Sequence, residues 1–192
     1  MPSNELFRIR DRTILSDDWG VLSRYDFELR TRSGAWQAQR REAYDRGNGV
    51  ACLLHDPAGG TVLLIRQFRL PAAVNGHDGM MIEVPAGMLD GADPKQRMRE
   101  ELEEETGYRV SELDHLFDVY MSPGSVTEYL SFYQGAYDRS DRASKGGGNP
   151  EEGEDIEVLH VPLEEALAMT RSGEICDAKT IMLIQRLALE AR

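Results

Sequence analysis

Residues 83–108 read Glu83-Val-Pro-Ala-Gly-Met-Leu-Asp-Gly-Ala-Asp93-Pro-Lys-Gln-Arg-Met-Arg-Glu-Glu-Leu-Glu-Glu-Glu-Thr-Gly-Tyr108. They run from a short apolar strand through a turn-rich loop into an acidic helix. The apolar run Met80–Val84 reads as a strand closed by Pro85. Asp93 followed by Pro94 predicts a helix start, because an Asp side chain accepts orphan N–H groups and proline fits the first helical position. Met98 and Leu102 fall four apart on its apolar side, and Gly107 suits the left-handed residue that ends a helix. Glu101, Glu104 and Glu105 then share one face at i, i+3 and i+4, while Glu100 and Glu103 point elsewhere. Glutamates in the last turns oppose the helix dipole at about 0.3–1 kcal/mol each, and Arg97 and Arg99 offset only part of that. The run fits a solvated acidic face, or a site for a hard divalent cation such as Mg²⁺, which takes carboxylate oxygens and keeps coordination positions for substrate phosphates.

Outward from the helix, Val50–His55 and Thr61–Phe68 flank the turn at 56–60 as a buried hairpin, and Leu22–Thr31 and Ala35–Tyr44 form polar-alternating strands around Ser33-Gly34. Leu113–Met121, Tyr129–Tyr137 and Ile156–Val161 are further strands. Pro162–Arg171 and Ala178–Glu190 are helices, and the polar, Gly-rich segment 138–155 is expected to be a mobile loop. At 192 residues the chain suits one α/β domain with an extension: an N-terminal β-region over 1–45 and a main domain over 46–192.

The net charge of −12, from 34 acidic against 22 basic residues, argues against nucleic acid or an anionic membrane surface as partner. No apolar run approaches the ~18 residues of a membrane span and no signal peptide is visible. Two cysteines without metal spacing fit a reducing cytoplasm. The four histidines lie apart and read as structural or surface residues. The acid is concentrated: residues 100–105 and 151–157 hold ten of the 34 carboxylates, so a second acidic segment, on a loop, accompanies the helix.

The strand, loop and helix with this spacing resemble the Nudix box, G-x5-E-x7-R-E-U-x-E-E-x-G-U with U apolar, in register from Gly107-Tyr108 back through Glu105, Glu104, Leu102 and Glu101 to Gly87. Asp93 stands where the box has Glu. Glu100 stands where it has Arg, and the spacing from Gly87 is one residue shorter. The box arginine orients the carboxylates by ion pairing. Arg99 is the nearest cation along the chain, about 100° round the helix.

Glu42–Gly49, Ile65–Arg69, Val74–Gly76, Tyr120–Gly124, Thr127-Glu128, Gly146–Gly148, Glu154–Val158, Gly173–Ile175 and Asp177–Thr180 extend the resemblance over nearly the whole chain, toward the GDP-mannose pyrophosphatase branch, which is close to the ADP-ribose pyrophosphatases. The resemblance implies a Nudix α/β/α sandwich with a mixed sheet and an N-terminal β-region exchanged in a homodimer. It implies Mg²⁺ (or Mn²⁺) held by Glu101, Glu104, Glu105, Glu154 and the Ala86 carbonyl. Glu154 is expected to be the base, with Glu152 as rival and Glu104 beside them. Trp19 is expected against the nucleobase, and Arg40, Arg41 and Glu42 on the guanine side. Gly87, Met88 and Glu128 are expected at the substrate, and Arg69 and Lys179 on phosphate or sugar. Lys179 is otherwise an odd choice, a cation in the first turn of a helix, where the dipole disfavours it.

The activity implied is hydrolysis of a nucleoside diphosphate sugar, GDP-mannose first, to a nucleoside monophosphate and a sugar 1-phosphate. ADP-ribose or another ADP-sugar, or a catalytically weak module that only binds nucleotide sugars, are the alternatives.

Overall fold

The run Val50–Leu54 has no polar side chain, and a strand with no polar alternation must be covered on both faces. A computed structural model of the chain describes residues 6–190, and of Asp141 and Glu152 the backbone only. In it the strands are β1 (Phe7–Asp17), β2 (Val21–Arg30), β3 (Trp36–Asp45), β4 (Gly49–Asp56), β5 (Thr61–Phe68), β6 (Met80–Glu83), β7 (Ala86–Met88), β8 (Asp114–Tyr120), β9 (Tyr129–Ala136) and β10 (Glu157–Pro162). The helices are α1 (Leu70–Val74), α2 (Pro94–Glu101), α3 (Leu163–Ser172) and α4 (Ala178–Glu190), and Leu102–Thr106 prolongs α2 as one π-helical turn. The described chain divides into two units. One runs to Asn48 and takes in Ser122–Tyr129; the other holds Gly49–Met121 and continues from Leu130.

In the larger unit β10, β5, β4, β9 and β8 lie side by side, with β6 on β5 and β7 on β4. β4 is parallel to β9 and antiparallel to β5 and β7, which makes the sheet mixed. Along β4 the side chains alternate between two cores. Ala51 and Leu53 join Leu183, Ile184 and Leu187 of α4 and Ala166 of α3. Val50, Cys52 and Leu54 join Met98 and Leu102 of α2 and its extension. Helices therefore cover both faces, the three-layer α/β/α arrangement expected from the resemblance.

α2 begins as its sequence requires. The Asp93 carboxylate accepts the Gln96 N–H at 2.9 Å, Pro94 follows, and Gly107 closes the end at φ 80°. The end itself differs from a plain α-helix. The Thr106 hydroxyl donates to the Leu102 carbonyl within the π turn, and a loop from the far side of the chain binds the last carbonyls. Gly147 N–H donates to Glu105 O (2.9 Å), Gly148 N–H to Glu104 O (3.2 Å) and Ala143 N–H to Gly107 O (2.7 Å).

Within the segment 138–155, read from the sequence as a loop, residues 143–148 are thus laid against the helix end. The glycines there allow backbone to press against backbone, and a Cβ at Gly146 (φ 64°) would overlap the chain at Glu105–Gly107. Those bonds also answer the unfavourable end of the helix, because the orphan carbonyls that oppose the glutamates are taken up by N–H donors.

In the smaller unit β1, β2 and β3 form an antiparallel meander, and β2 and β3 turn over around Ser33-Gly34 as predicted. Tyr44 at the end of β3 exchanges backbone hydrogen bonds with the 122–129 segment, donating to Ser125 O (2.9 Å) and accepting from Thr127 N–H (3.0 Å). Charges lace the sheet, with Arg10 on Glu28 and Arg40 Nε on Asp26 at 2.7 Å. Among the described residues of β1–β3 only Ser23 is buried.

Candidate active site

Glutamates 101 and 105 leave one face of α2 and its π turn and enter the protein. Both are buried, at 6 % and 2 % exposure, with Leu102 in the core beside them. Glu103 turns outward to Arg109 (2.8 Å) and Glu100 to Gln96 (2.9 Å), as the helix spacing predicts. Glu104 stays half-buried.

The wall opposite is the β7 segment. Ala86 N–H donates to Glu105 Oε2 at 3.0 Å. Gly87 has to be glycine, because a Cβ there would overlap the Glu101 carboxylate. Glu154 is fixed through Oε2, which accepts the Asn149 N–H at 2.9 Å, and the absence of a Cβ at Gly148 leaves room for its carboxylate.

These groups feel one another. Burial pushes Glu101 up to about 7, against the pull of Arg97, and the charges of Glu104 and Glu154 add to the rise. Burial lifts Glu105 well above the usual carboxylate range, and Glu101 and Glu154 lift it further. Two buried carboxylates, Glu101 and Glu105, with Glu104 and Glu154 within electrostatic reach, are oxygen donors of the kind that could hold a hard divalent cation. Among the described residues no three His, Cys, Asp or Glu side chains are drawn into a closed ligand cluster, so the donors stand side by side rather than pre-assembled.

Next to them lies a second charged group, centred on a residue that the sequence reading missed. Glu83, buried at the end of β6, receives Arg69 through two bonds, Nε to Oε1 at 3.0 Å and Nη2 to Oε2 at 2.8 Å. It also receives Lys179 Nζ at 2.8 Å. Burial alone would raise its pKa, but Lys179 and Arg69 outweigh that and hold it at about 2. Lys179 also meets Asp177 (3.1 Å), whose carboxylate caps α4 by accepting the Thr180 N–H at 3.0 Å. The cation in the first turn of α4 is therefore offset by two acids. The available signal was the position of Glu83, an acid at the end of an apolar strand immediately before the box.

Arg97 was likewise missed as a partner of Glu101. The sequence offered Arg99, but the Arg99 guanidinium binds the Ser111 carbonyl (2.6 Å). Arg97, one turn before Glu101, makes the ion pair. The i, i+4 spacing was the signal for it.

Trp19, Arg40, Arg41, Glu42 and Glu128 belong to the smaller unit, and Met88, at the end of β7, to the larger. Trp19 is 68 % exposed, so it is not a core residue of this chain. Arg46 lies over its ring, 4.9 Å from the centroid, and pairs with Glu128 at 3.3 Å, which gathers Trp19, Arg46 and Glu128 into one cluster. Arg40, Arg41 and Glu42 are exposed on β3. The Glu152 side chain lies outside what the structure describes.

Comparisons with known proteins bear on the family. Residues 7–44 match the family described as the GDP-mannose pyrophosphatase NudK N-terminal domain, and residues 45–183 match the NUDIX domain. The chain belongs to the Nudix family of hydrolases, and hydrolases of this family generally use divalent metal ions. It is similar to the GDP-mannose pyrophosphatase of Pectobacterium atrosepticum, 51 % identical over 178 residues, covering 92 % of this chain and 91 % of the relative. It also resembles the GDP-mannose pyrophosphatases of Salmonella arizonae, at 48 % identity, and Citrobacter koseri, at 46 %, each over 186 residues and 96 % of both chains. Among the described residues no helix is long and apolar enough to cross a membrane.

Proposed function

We propose that the chain hydrolyses GDP-mannose to GMP and mannose 1-phosphate with Mg²⁺. The single observation that carries the chemistry is the pair of buried carboxylates, Glu101 and Glu105, facing the β7 segment with Glu154 in electrostatic reach. The nucleotide sugar is inferred from relatives near 50 % identity over more than nine-tenths of the chain.

In this reading Glu101, Glu105, Glu154 and the Ala86 carbonyl hold Mg²⁺, with Glu104 beside them, and Mn²⁺ serves as a substitute. The bound ion supplies positive charge to phosphoryl oxygens and eases deprotonation of water. The chain's own groups do the rest. Glu154 takes the proton of the attacking water as the water oxygen bonds to phosphorus and the bridging P–O bond breaks. Glu152, three residues after Asn149, is its rival for that proton. Arg69 and Lys179 receive the charge released onto the leaving phosphate. Each gives up part of its hold on Glu83, which keeps both in place before substrate arrives. Gly87 lets backbone approach closely, with Met88 next to it. Trp19 stacks on the base, and Arg40, Arg41, Glu42 and Glu128 contact the nucleotide sugar.

We further place the chain in a homodimer that exchanges its first 45 residues, with residues 46–192 as the catalytic domain. The exposed side chains of Ile14 and Leu15 are suited to contact a second copy. Sedimentation tests the dimer: a monomer at micromolar concentration would overturn it.

The test of the activity is product release from a panel containing GDP-mannose, ADP-ribose and other ADP-sugars, with and without Mg²⁺. Mg²⁺-dependent GMP and mannose 1-phosphate with GDP-mannose preferred is the expected result. Preference for ADP-ribose would displace the substrate, and tight binding without turnover of any sugar would displace the enzyme.

A further inference from the structure

Position 100, where the Nudix box carries its arginine, is a glutamate, yet the neighbouring carboxylate is buried and has to be aimed. The candidate cations can be followed one by one. Arg99 is committed to the Ser111 carbonyl through Nε (3.2 Å) and Nη2 (2.6 Å). Arg109 is committed to Glu103 through Nε (2.8 Å) and Nη2 (2.7 Å). Arg69 and Lys179 are committed to Glu83.

Arg97 does something different. Its Nη2 pairs with Glu101 Oε1, its Nε donates to the Met88 carbonyl at 3.1 Å, and its Nη1 lies 3.6 Å from Glu100 Oε2. One planar fork thus joins the strand that carries Gly87 to the helix that carries Glu101. The contact with Met88 fixes where the guanidinium sits, and the guanidinium fixes which way one Glu101 oxygen points. Glu105 is held in the same manner, through one oxygen on the Ala86 N–H. Both carboxylates are therefore tethered by a single oxygen to the same short strand, Ala86–Met88.

We infer that Arg97 is a positioning residue of the divalent-cation site, holding Glu101 in its ligating orientation from position 97 where the box would hold it from position 100. The inference rests on the proposed cation site and deepens it. A lysine cannot replace this arginine fully, because one ammonium cannot reach a carbonyl and a carboxylate with a rigid fork. Glu100, 3.6 Å from Arg97, is part of the arrangement: it adds an acid to the outer side of the guanidinium and leaves Glu101 on the inner side.

The experiment measures Mn²⁺ binding to the metal-stripped full chain by electron paramagnetic resonance, without nucleotide, so the readout does not depend on turnover. Arg97→Met is expected to raise the Mn²⁺ Kd about 10–100-fold, the loss typical of removing a group that orients a metal ligand. Arg97→Lys should fall between that variant and the wild type. Arg97→Met combined with Glu100→Arg returns a cation to the box position and should recover most of the affinity. Circular dichroism checks that each variant is folded, and the double variant keeps the test decisive if Arg97→Met alone is unstable.

A Kd for Arg97→Met within twofold of the wild type would overturn the inference, and so would a double variant no better than the single one. The outcome is separable from the substrate assignment. A wild-type chain that binds Mn²⁺ yet hydrolyses no nucleotide sugar sinks the proposed activity, and the three affinities still decide the role of Arg97.

Discussion

Strand β4 buries every side chain from Val50 to Leu54 between two helical layers, whereas across β1–β3 Ser23 alone is buried among the described residues. The larger unit is a closed core with charge placed inside it at a few defined points. The smaller is a ladder of hydrogen bonds and surface ion pairs that presents Trp19, Arg40, Arg41 and Glu42 on its outside. Burial is what gives the carboxylates of α2 their chemistry, since a charge removed from water interacts strongly with whatever charge is next to it. The exposed side chains of the first unit stay in water, where their mutual interactions are weak. A three-stranded sheet without a covered apolar face has little independent stability, so most of the folding free energy belongs to the second unit.

This contrast can be broken in several ways. The largest effect is expected from Glu105→Gln, which keeps the shape and the Ala86 contact but removes one buried negative charge. Turnover of GDP-mannose should fall by about 10³-fold, roughly 4 kcal/mol of transition-state stabilisation, as read from kcat at saturating Mg²⁺. Wild-type-like turnover would remove Glu105 from the metal site.

Next comes Leu64→Ala, a truncation between β5 and the α3–α4 layer. It should cost about 2–5 kcal/mol in urea unfolding, while Ile14→Ala in the first unit should stay within about 0.5 kcal/mol. A loss beyond about 1 kcal/mol at Ile14 would show that a partner surface covers it.

Trp19→Ala should leave stability unchanged and raise KM for GDP-mannose about tenfold, in line with about 1–3 kcal/mol for an aromatic stacked on a base. An unchanged KM would take Trp19 out of the substrate site.

The smallest effect is on pH dependence and belongs to the metal-free protein. Glu101 is raised from its ordinary 4.5 to about 7, and Glu105 is raised in the same direction. The folded state therefore binds more protons than the unfolded chain over that range, and stability falls as pH rises from about 4.5 through 7. Glu83, lowered to about 2, acts in the opposite sense: its stabilisation is present above about 4.5 and is lost as pH falls toward 2. The contributions of these three carboxyls to the metal-free chain are together largest near pH 4–5. Saturating Mg²⁺ should flatten the upper limb in thermal melts, and a profile that Mg²⁺ does not alter would count against a cation at Glu101 and Glu105.

How much of this could be read beforehand divides along the same line. The ends of α2 are local events, an Asp carboxylate reaching three residues on and a glycine adopting a left-handed conformation, so Asp93 and Gly107 were legible from the chain. The facing of Glu101 and Glu105 follows from helix geometry and was legible too. Glu83 was not, because its importance lies in Arg69 and Lys179, which arrive from 14 and 96 residues away along the chain. Segment 138–155 read as a mobile loop because Gly, Ser and acid have no core to join. What anchors it is backbone, the carbonyls of Glu104, Glu105 and Gly107, and backbone partners leave no mark in side-chain composition. Glu100 stands where the box has arginine, with Arg99 as the nearest cation along the chain; in the structure the cation on Glu101 is Arg97, one turn before it.

The sequence by itself determined the family, the acidic helix with its caps and with three glutamates on one face, and the burial of β4, because each depends on periodicity or on residues a turn apart. The tertiary structure alone decided which charge answers which: Arg97 on Glu101, Arg69 and Lys179 on Glu83, the glycine loop on the end of the helix. All but the first of these are set by distances between segments remote in the chain; Arg97 and Glu101 are one helical turn apart. With 34 acids and 22 bases available, proximity in the fold is the only thing that selects among them.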